Sequence, residues 1–287
     1  MQDVIVNLCP TGMIPTKEIT PHVPISPNEI IEDVLACAEV GVTMVHAHAR
    51  DKNGKPDYNP EIYAEILQGI RKHRPDLIVG ISLSGRDFKE FEKRSAGLFN
   101  KGEARPDTGS LTTSSLNFPK QASVNDPEMI KNLAQTMLEK GILPELEVFD
   151  TGMINYVKYL IKKELIKPPY YLNLLFGNIA NAQADEQEAK LMLQRLPENS
   201  FWSFAGIGDC QLEMNTLAIE WGGGVRVGLE DNIYFDPSRT KLATNLEMIK
   251  RIKQIAETNN RRIMDPLELR KKLHLHTEKG MYGIIKD

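Results

Sequence analysis

The chain has few of the residues that commit a protein to a special environment. Its 287 residues include three cysteines, Cys9, Cys37 and Cys210, far apart and without a CxxC, so neither a disulfide framework nor a cysteine-based zinc finger is available. No stretch approaches ~18 uninterrupted apolar residues, and the N-terminal MQDVIVNLCPTG carries an acid at Asp3 and only a short apolar run, unlike a secretory leader. Both absences point to a protein made and kept in a reducing cytoplasm. Positive charge is not in excess either: 35 Lys and Arg stand against 39 Asp and Glu, for a net charge of −4 and a pI near 5.9. No global field therefore attracts nucleic acid or anionic lipid. Repeats, low-complexity tracts and linkers are missing too. What is there is 41% hydrophobic and 26% charged, enough for a sizeable core and outside the disordered and fibrous classes.

Periodicity organises the chain. Short apolar or β-branched runs at residues 3–9, 42–48, 77–83, 107–112, 144–149, 170–176, 200–205 and 224–228 predict eight strands. Amphipathic stretches near 28–40, 60–73, 88–99, 127–140, 152–165, 185–195, 210–221 and 242–257 predict a helix after each. Ser26-Pro27-Asn28-Glu29 and Asn125-Asp126-Pro127-Glu128 each set a capping side chain, a proline and an acid at a first turn. Strict βα alternation needs crossover connections and a parallel sheet, and eight units in about 250 residues match a closed (β/α)₈ TIM barrel. An open doubly wound sheet is the rival. Against it, Cys9-Pro10-Thr11-Gly12 stands where a GxGxxG would follow strand 1, and no composition shift marks a boundary. The expectation is one domain over residues 1–287, with 261–287 as a C-terminal extension. In it MDPLELRKKL reads as a short extra helix, and the last ten residues read as frayed or engaged at a subunit contact.

Chemistry concentrates at two strand ends. In Val45-His46-Ala47-His48 the two histidines lie two apart, so a strand projects both into the barrel at its C-terminal end, where barrel active sites sit. Two imidazoles at this spacing either share a metal ion, with zinc suited to the ligand type, or are polar residues hydrogen-bonded in the barrel mouth. His274 and His276 repeat the spacing but follow Arg270-Lys271-Lys272, whose charge disfavours a cation, and read as surface. His22 and His73 are isolated. In Gly222-Gly223-Gly224-Val225-Arg226-Val227-Gly228-Leu229-Glu230-Asp231, Arg226, Gly228 and Glu230 share parity, with Glu230 at the strand end. Closure sets strand 8 beside strand 1 and two places from strand 2, so Glu230 either completes a His, His, Glu ligand set or pairs with Arg226. Strand 5 carries Glu145 and Glu147 on one face, and a carboxylate inside a barrel needs a partner, for which Arg226 is the candidate. Strand 3 ends in Ser82, Ser84 and Gly85, where hydroxyls and free amides can hold a carboxylate, and strand 4 runs Ser110-Leu111-Thr112.

In order along the chain, VHAHARD, ISLSG, LPELEVFDTGM, FAGIG and GGGVRVGLEDN resemble the beta-keto acid cleavage enzymes over nearly the whole length. The resemblance implies a TIM barrel, commonly tetrameric, with Zn²⁺ held by His46, His48 and Glu230 and acetyl-CoA as cosubstrate. It further implies Arg226 and Asp231 as the proton-abstracting pair, Glu147 buttressing Arg226, and Ser82 and Gly85 at the substrate carboxylate. The implied reaction condenses a β-keto acid with acetyl-CoA and releases acetoacetate and a new acyl-CoA.

Departures bear on the substrate. Where the aminohexanoate enzymes of the family carry an acid for the substrate ammonium, this chain has Ile14, with Glu18 four residues on. An apolar side chain cannot offset an ammonium, so a neutral or apolar β-keto acid is expected. Ser110 and Thr112 replace another polar pair in the substrate pocket. A CoA-independent zinc aldolase or isomerase on the same barrel, and a non-catalytic metal- or acyl-CoA-binding protein, are the alternatives. Since CoA and a carboxylate are anions and the chain is acidic overall, positive charge is expected to gather around Arg226 and the loops at the barrel mouth.

Overall fold

Eight parallel strands close into a barrel in the order in which they occur along the chain. They are β1 (Val6–Leu8), β2 (Met44–Ala47), β3 (Ile78–Ile81), β4 (Thr108–Thr112), β5 (Leu143–Val148), β6 (Tyr170–Phe176), β7 (Ser200–Gly206) and β8 (Gly224–Val227). This computed structural model describes residues 3–285. β8 returns to β1 in the register Asn7 to Arg226, and β1 pairs with β2 through Asn7 and Met44, which closes the ring. Each of the eight strands lies inside a run predicted from periodicity or extends one by a residue.

The surrounding helices are α1 (Pro27–Gly41), α2 (Pro60–His73), α3 (Phe91–Ser95), α4 (Pro127–Lys140), α5 (Thr151–Lys162), α6 (Glu186–Gln194), α7 (Gln211–Glu220) and α8 (Asn245–Thr258). α1 starts in a complete capping box between Ser26 and Glu29, with Pro27 at its first position. Asp126 caps α4 by accepting from the backbone N–H groups of Glu128 and Met129, and Gly141 ends it in the left-handed conformation. Between helices and strands runs one continuous apolar layer that includes Val34, Ile66, Leu133, Ile154, Met214 and Ile249.

Two details depart from the sequence reading. The helix expected at 88–99 is short, with α3 giving way to a 3-10 turn at Ala96–Phe99. A Cβ on Gly97 would lie 2.6 Å from Ile81 Cδ1, so this turn packs directly on β3. In addition, Ala49–Arg50 pairs antiparallel with Pro56–Asp57, and Leu116–Asn117 with Ala122–Ser123, as hairpins above the barrel mouth. Two-residue strands are too short to leave a period in the sequence.

The C-terminal extension forms α9 (Pro266–Lys272), as expected. The residues after it are not frayed as far as they are described; Lys286 and Asp287 lie outside the described residues. Leu275 and Ile284 form an antiparallel bridge, and Tyr282 is buried with the Arg71 guanidinium 3.5 Å over its ring. The anchor is Asp107, fully buried just before β4. It accepts from Arg71 Nη2 (2.8 Å), from Arg270 Nη1 (2.9 Å) and Nη2 (2.8 Å), and from the Gly283 amide (3.0 Å). Burial works against its charge, but Arg270 and Arg71 outweigh burial and hold the carboxyl below its ordinary range. The segment floors the barrel at the N-terminal ends of the strands, opposite the histidines.

Asp107→Asn leaves two buried guanidinium groups short of a carboxylate. It is expected to cost roughly 3–5 kcal/mol in urea unfolding, and a loss under about 1 kcal/mol would show that the floor is held by something else.

Candidate active site

The barrel mouth is polar because of what β2, β5 and β8 point inward. His46 is the last residue but one of β2 and His48 follows just beyond the strand, and both are buried on the interior face. Their Nε2 atoms are 3.2 Å apart. Glu230 arrives from the turn after β8, with Oε1 3.2 Å from His48 Nε2 and 4.0 Å from His46 Nε2. One ligand atom from each of the three residues falls within a set spanning at most 4.8 Å. Gly12 makes this possible: its φ is +65°, and a Cβ there would stand 2.5 Å from Glu230 Cγ.

Glu145 sets the histidine tautomer. Fully buried on β5, it places Oε2 3.0 Å from His46 Nδ1, while its Oε1 accepts from Asn7 Nδ2 and Asn173 Nδ2, both at 2.7 Å. With Nδ1 turned to this carboxylate, Nε2 is the His46 nitrogen left facing His48 and Glu230, and it offers a lone pair once its proton has left. Gly80 on β3 leaves the room, since a Cβ there would lie 2.0 Å from Thr108 Oγ1 and 3.3 Å from Glu145 Oε2. The sequence reading named Arg226 as partner for the carboxylates of strand 5. That holds for Glu147 and not for Glu145, whose partners are His46, Asn7 and Asn173.

Arg226 on β8 is 2% exposed and ringed by carboxylates. Nη1 donates to Glu147 Oε1 (2.6 Å), Nη2 to Glu230 Oε1 (2.8 Å) and Nε to Asp231 Oδ2 (3.0 Å). Thr112 Oγ1 donates to Glu147 Oε2 at 2.8 Å and so steadies that carboxylate. Three carboxylates against one guanidinium leave this cluster negative, which suits a cation. Glu230 Oε2 strengthens the fit, being buried with no hydrogen-bond partner among the described residues. Two imidazoles and a carboxylate with a spare buried oxygen are the donor set of a catalytic zinc.

The charges shift one another. Burial disfavours a proton on His46, but the carboxylates of Glu145 and Glu230 outweigh it and push its pKa up to about 9. Burial dominates at His48 and lowers its pKa. It also raises the pKa of Asp231, which sits beside Glu230 and Glu147, although Arg226 pulls the other way. Glu230 is held well below the usual carboxylate range, because His48, Arg226 and His46 together overcome burial.

The remaining predicted residues divide. Ser82 lines a pocket beside His48, together with Met13, Tyr58, Tyr63 and Phe88. Ser110 is outside the charge cluster, its hydroxyl accepting from the Leu83 amide at 2.9 Å. Gly85 is buried beneath the hairpin, where a Cβ would meet Val124 O at 2.3 Å. Ile14 is 55% exposed, and Glu18 is exposed as well. His22, His73 and His274 are exposed and His276 is half-buried, and none of them belongs to the His46, His48, Glu230 set. Of the positive charge expected around Arg226 and the mouth loops, that of Arg226 is offset by its own carboxylates, while Arg50, Arg86 and Arg94 stand in the segments after β2 and β3. Sequence reasoning missed Asn7 and Asn173, although a lone amide inside an apolar strand, as in VIVNL and YYLNLLF, is the signal of a buried polar partner.

A sequence model of the beta-keto acid cleavage enzymes matches residues 3–275. The 3-keto-5-aminohexanoate cleavage enzyme of Fusobacterium nucleatum is 32% identical over 96% of this chain and 99% of its own. The 3-oxoadipate:acetyl-CoA acetyltransferase of Cupriavidus necator is 34% identical over 96% of this chain and 95% of its own. Among solved structures, apo ObcA superposes with a TM-score of 0.78 at 18% identity, over 88% of this chain and 65% of that one, a likeness of fold. Among the described residues no helix is long and apolar enough to cross a membrane.

Two measurements follow from the geometry. Glu145→Gln is expected to weaken zinc binding by about 10-fold to 100-fold in a competition titration, and unchanged affinity would remove Glu145 from the positioning of His46. The raised pKa of His46 means that its proton is bound below about pH 9 and must leave when a cation takes Nε2. Apparent zinc affinity should therefore climb as pH rises from 6.5 toward 9, by up to about tenfold per unit, and a flat profile would contradict this protonation state.

Proposed function

The chain belongs to the beta-keto acid cleavage enzyme family, and from that premise we propose that it condenses a β-keto acid with acetyl-CoA and cleaves the adduct to acetoacetate and a new acyl-CoA. The observation that carries the reading is Asp231 bound to Arg226 beside the His46, His48, Glu230 cluster. That arrangement puts a base next to a ligand set and leaves one Glu230 oxygen without a partner in the protein.

Asp231 takes the proton from C2 of the β-keto acid. Its raised pKa makes it a stronger base than an exposed aspartate. Arg226 aims the carboxylate through Nε and cannot compete for the proton, since a guanidinium stays charged. Glu147, itself steadied by Thr112, holds Arg226 from the far side. Zinc held by His46, His48 and Glu230 would act as a Lewis acid on the substrate oxygens and ease loss of that proton. The C2 carbanion forms a bond to the thioester carbon of acetyl-CoA and expels the CoA thiolate. The thiolate adds to the C3 ketone carbon, scission of the C2–C3 bond releases the acyl-CoA, and the carbanion left at C2 takes back the proton held by Asp231 to give acetoacetate. Ser82, lining the pocket beside His48, serves the substrate carboxylate on this reading. Residues 1–287 act as one catalytic domain, since the groups come from strands at both ends of the barrel order.

Relatives named for 3-keto-5-aminohexanoate, 3-oxoadipate and 3-dehydrocarnitine share the family, so membership does not choose the acyl group. Ile14 argues against an ammonium-bearing one.

Asp231→Ala should retain zinc by metal analysis and lose about 10²-fold to 10⁴-fold in turnover. The readout is mass spectrometry of the acyl-CoA formed from a panel of β-keto acids and acetyl-CoA. Turnover at the parent rate would remove Asp231 from the base role, and no acyl-CoA from any member of the panel with the parent protein would end the cleavage reading.

A further inference from the structure

Arg86 is a cation at the barrel mouth with no ion pair among the described residues. It lies five residues beyond the end of β3, in the loop Ser82-Leu83-Ser84-Gly85-Arg86. The backbone there is fastened to the hairpin formed by Leu116–Asn117 and Ala122–Ser123: the Val124 amide donates to Gly85 O (3.1 Å), and Gln121 Nε2 donates to Arg86 O (3.3 Å). The guanidinium lies 3.7 Å over the ring of Phe118, which in turn packs edge-on against Phe149 at 5.9 Å. Stacking on a ring that is itself braced fixes the plane of the guanidinium.

Its neighbours at the mouth are committed elsewhere. Arg50 donates to the carbonyls of Gly12, Pro15 and Gly54, Arg94 to Leu83 O, Val124 O and Asn125 Oδ1, and Arg226 to three carboxylates. The Arg86 guanidinium makes no hydrogen bond and no ion pair among the described residues, although it is half-buried. Its charge is partly desolvated and lies within electrostatic reach of Glu230, Asp87, Glu147 and Asp231, with none of which it forms an ion pair among the described residues. A planar fork held in this way, one layer outside the reacting groups, is shaped for a carboxylate.

We propose that Arg86 is a specificity-determining residue that binds the distal carboxylate of a β-keto diacid whose C2 faces Asp231. This rests on the cleavage reading and names its substrate class. It also changes the expectation of a neutral or apolar substrate, which counted Ile14 and left Arg86 out. The phosphates of CoA offer related anionic chemistry from another source, and the experiment separates the two.

Steady-state rates with a six-carbon β-keto diacid and the six-carbon β-keto monoacid are compared for the parent protein, Arg86→Gln and Arg86→Lys. The parent should favour the diacid by about tenfold or more in kcat/KM, Arg86→Gln should lose about 10-fold to 100-fold on the diacid alone, and Arg86→Lys should recover part of it. Equal losses on both acids, or a preference for the monoacid in the parent, overturn the proposal. A rise in the KM for acetyl-CoA with the acid preference intact assigns Arg86 to CoA and overturns it too. Calorimetry with unreactive adipate and hexanoate provides a readout free of turnover. Adipate should bind the parent more tightly, and Arg86→Gln should erase the difference; equal binding to the parent overturns the proposal. If no β-keto acid yields an acyl-CoA, the cleavage reading fails alone and the calorimetry still decides Arg86.

Discussion

The site depends on one guanidinium held among three carboxylates. Arg226 is almost fully removed from water, and a buried charge is tolerated only when its hydrogen-bonding capacity is met. Glu147, Glu230 and Asp231 meet it from β5 and from the turn after β8. The same contacts set the neighbours: Glu230 turns one oxygen to Arg226 and His48 and leaves the other without a partner, and Asp231 is kept beside like charges that favour its protonation. Removing Arg226 would leave three acids facing one another in a barrel mouth.

Behind this layer stands a second one that never reaches the reacting groups. Asn7 and Asn173 both donate to Glu145, which orients His46, while Tyr171 and Ser203 close the polar interior at 2.9 Å. β1, β2, β4, β5, β6 and β8 thus each supply a group that acts or a group that aims one. At the opposite end Asp107 ties α2, α9 and the C-terminal segment beneath the strands. The barrel is therefore tied together at its floor and polar at its mouth, with the two hairpins and their loops left to shape what enters.

Much of this was legible in the residues. The eight strands were readable because both faces of a barrel strand are buried, which leaves apolar runs between capped helices. The pairing of His46 with His48 was readable because strand parity is local, and Glu230, Arg226, Asp231 and Glu147 came together as their positions implied. Glu145 was visible as an inward acid, yet its partner was misjudged, because a choice between a guanidinium and an imidazole depends on which strand end stands closer. Ser110 and Gly85 look like binding groups in sequence, and in the fold both lie against the strand-3 loop, Ser110 accepting from the Leu83 amide and Gly85 packed under Val124. The 3-10 turn after α3, the hairpins and the C-terminal floor were not legible, since two-residue strands and tail contacts carry no period.

The sequence by itself determined the alternation of strand and helix and the parity of the inward groups, because each is written in spacings of a few residues, and the family, through the resemblance of motifs in order along the chain. Only the tertiary structure decided which charge meets which. Arg226 is 79 residues from Glu147, and Glu145 is 99 from His46. Closure of β8 onto β1 sets those distances in space, and no local pattern carries them. The same holds for Arg86: an arginine in a loop is unremarkable in sequence, and only the folded chain shows the neighbouring Arg50, Arg94 and Arg226 engaged and this one stacked on Phe118 without an ion pair among the described residues.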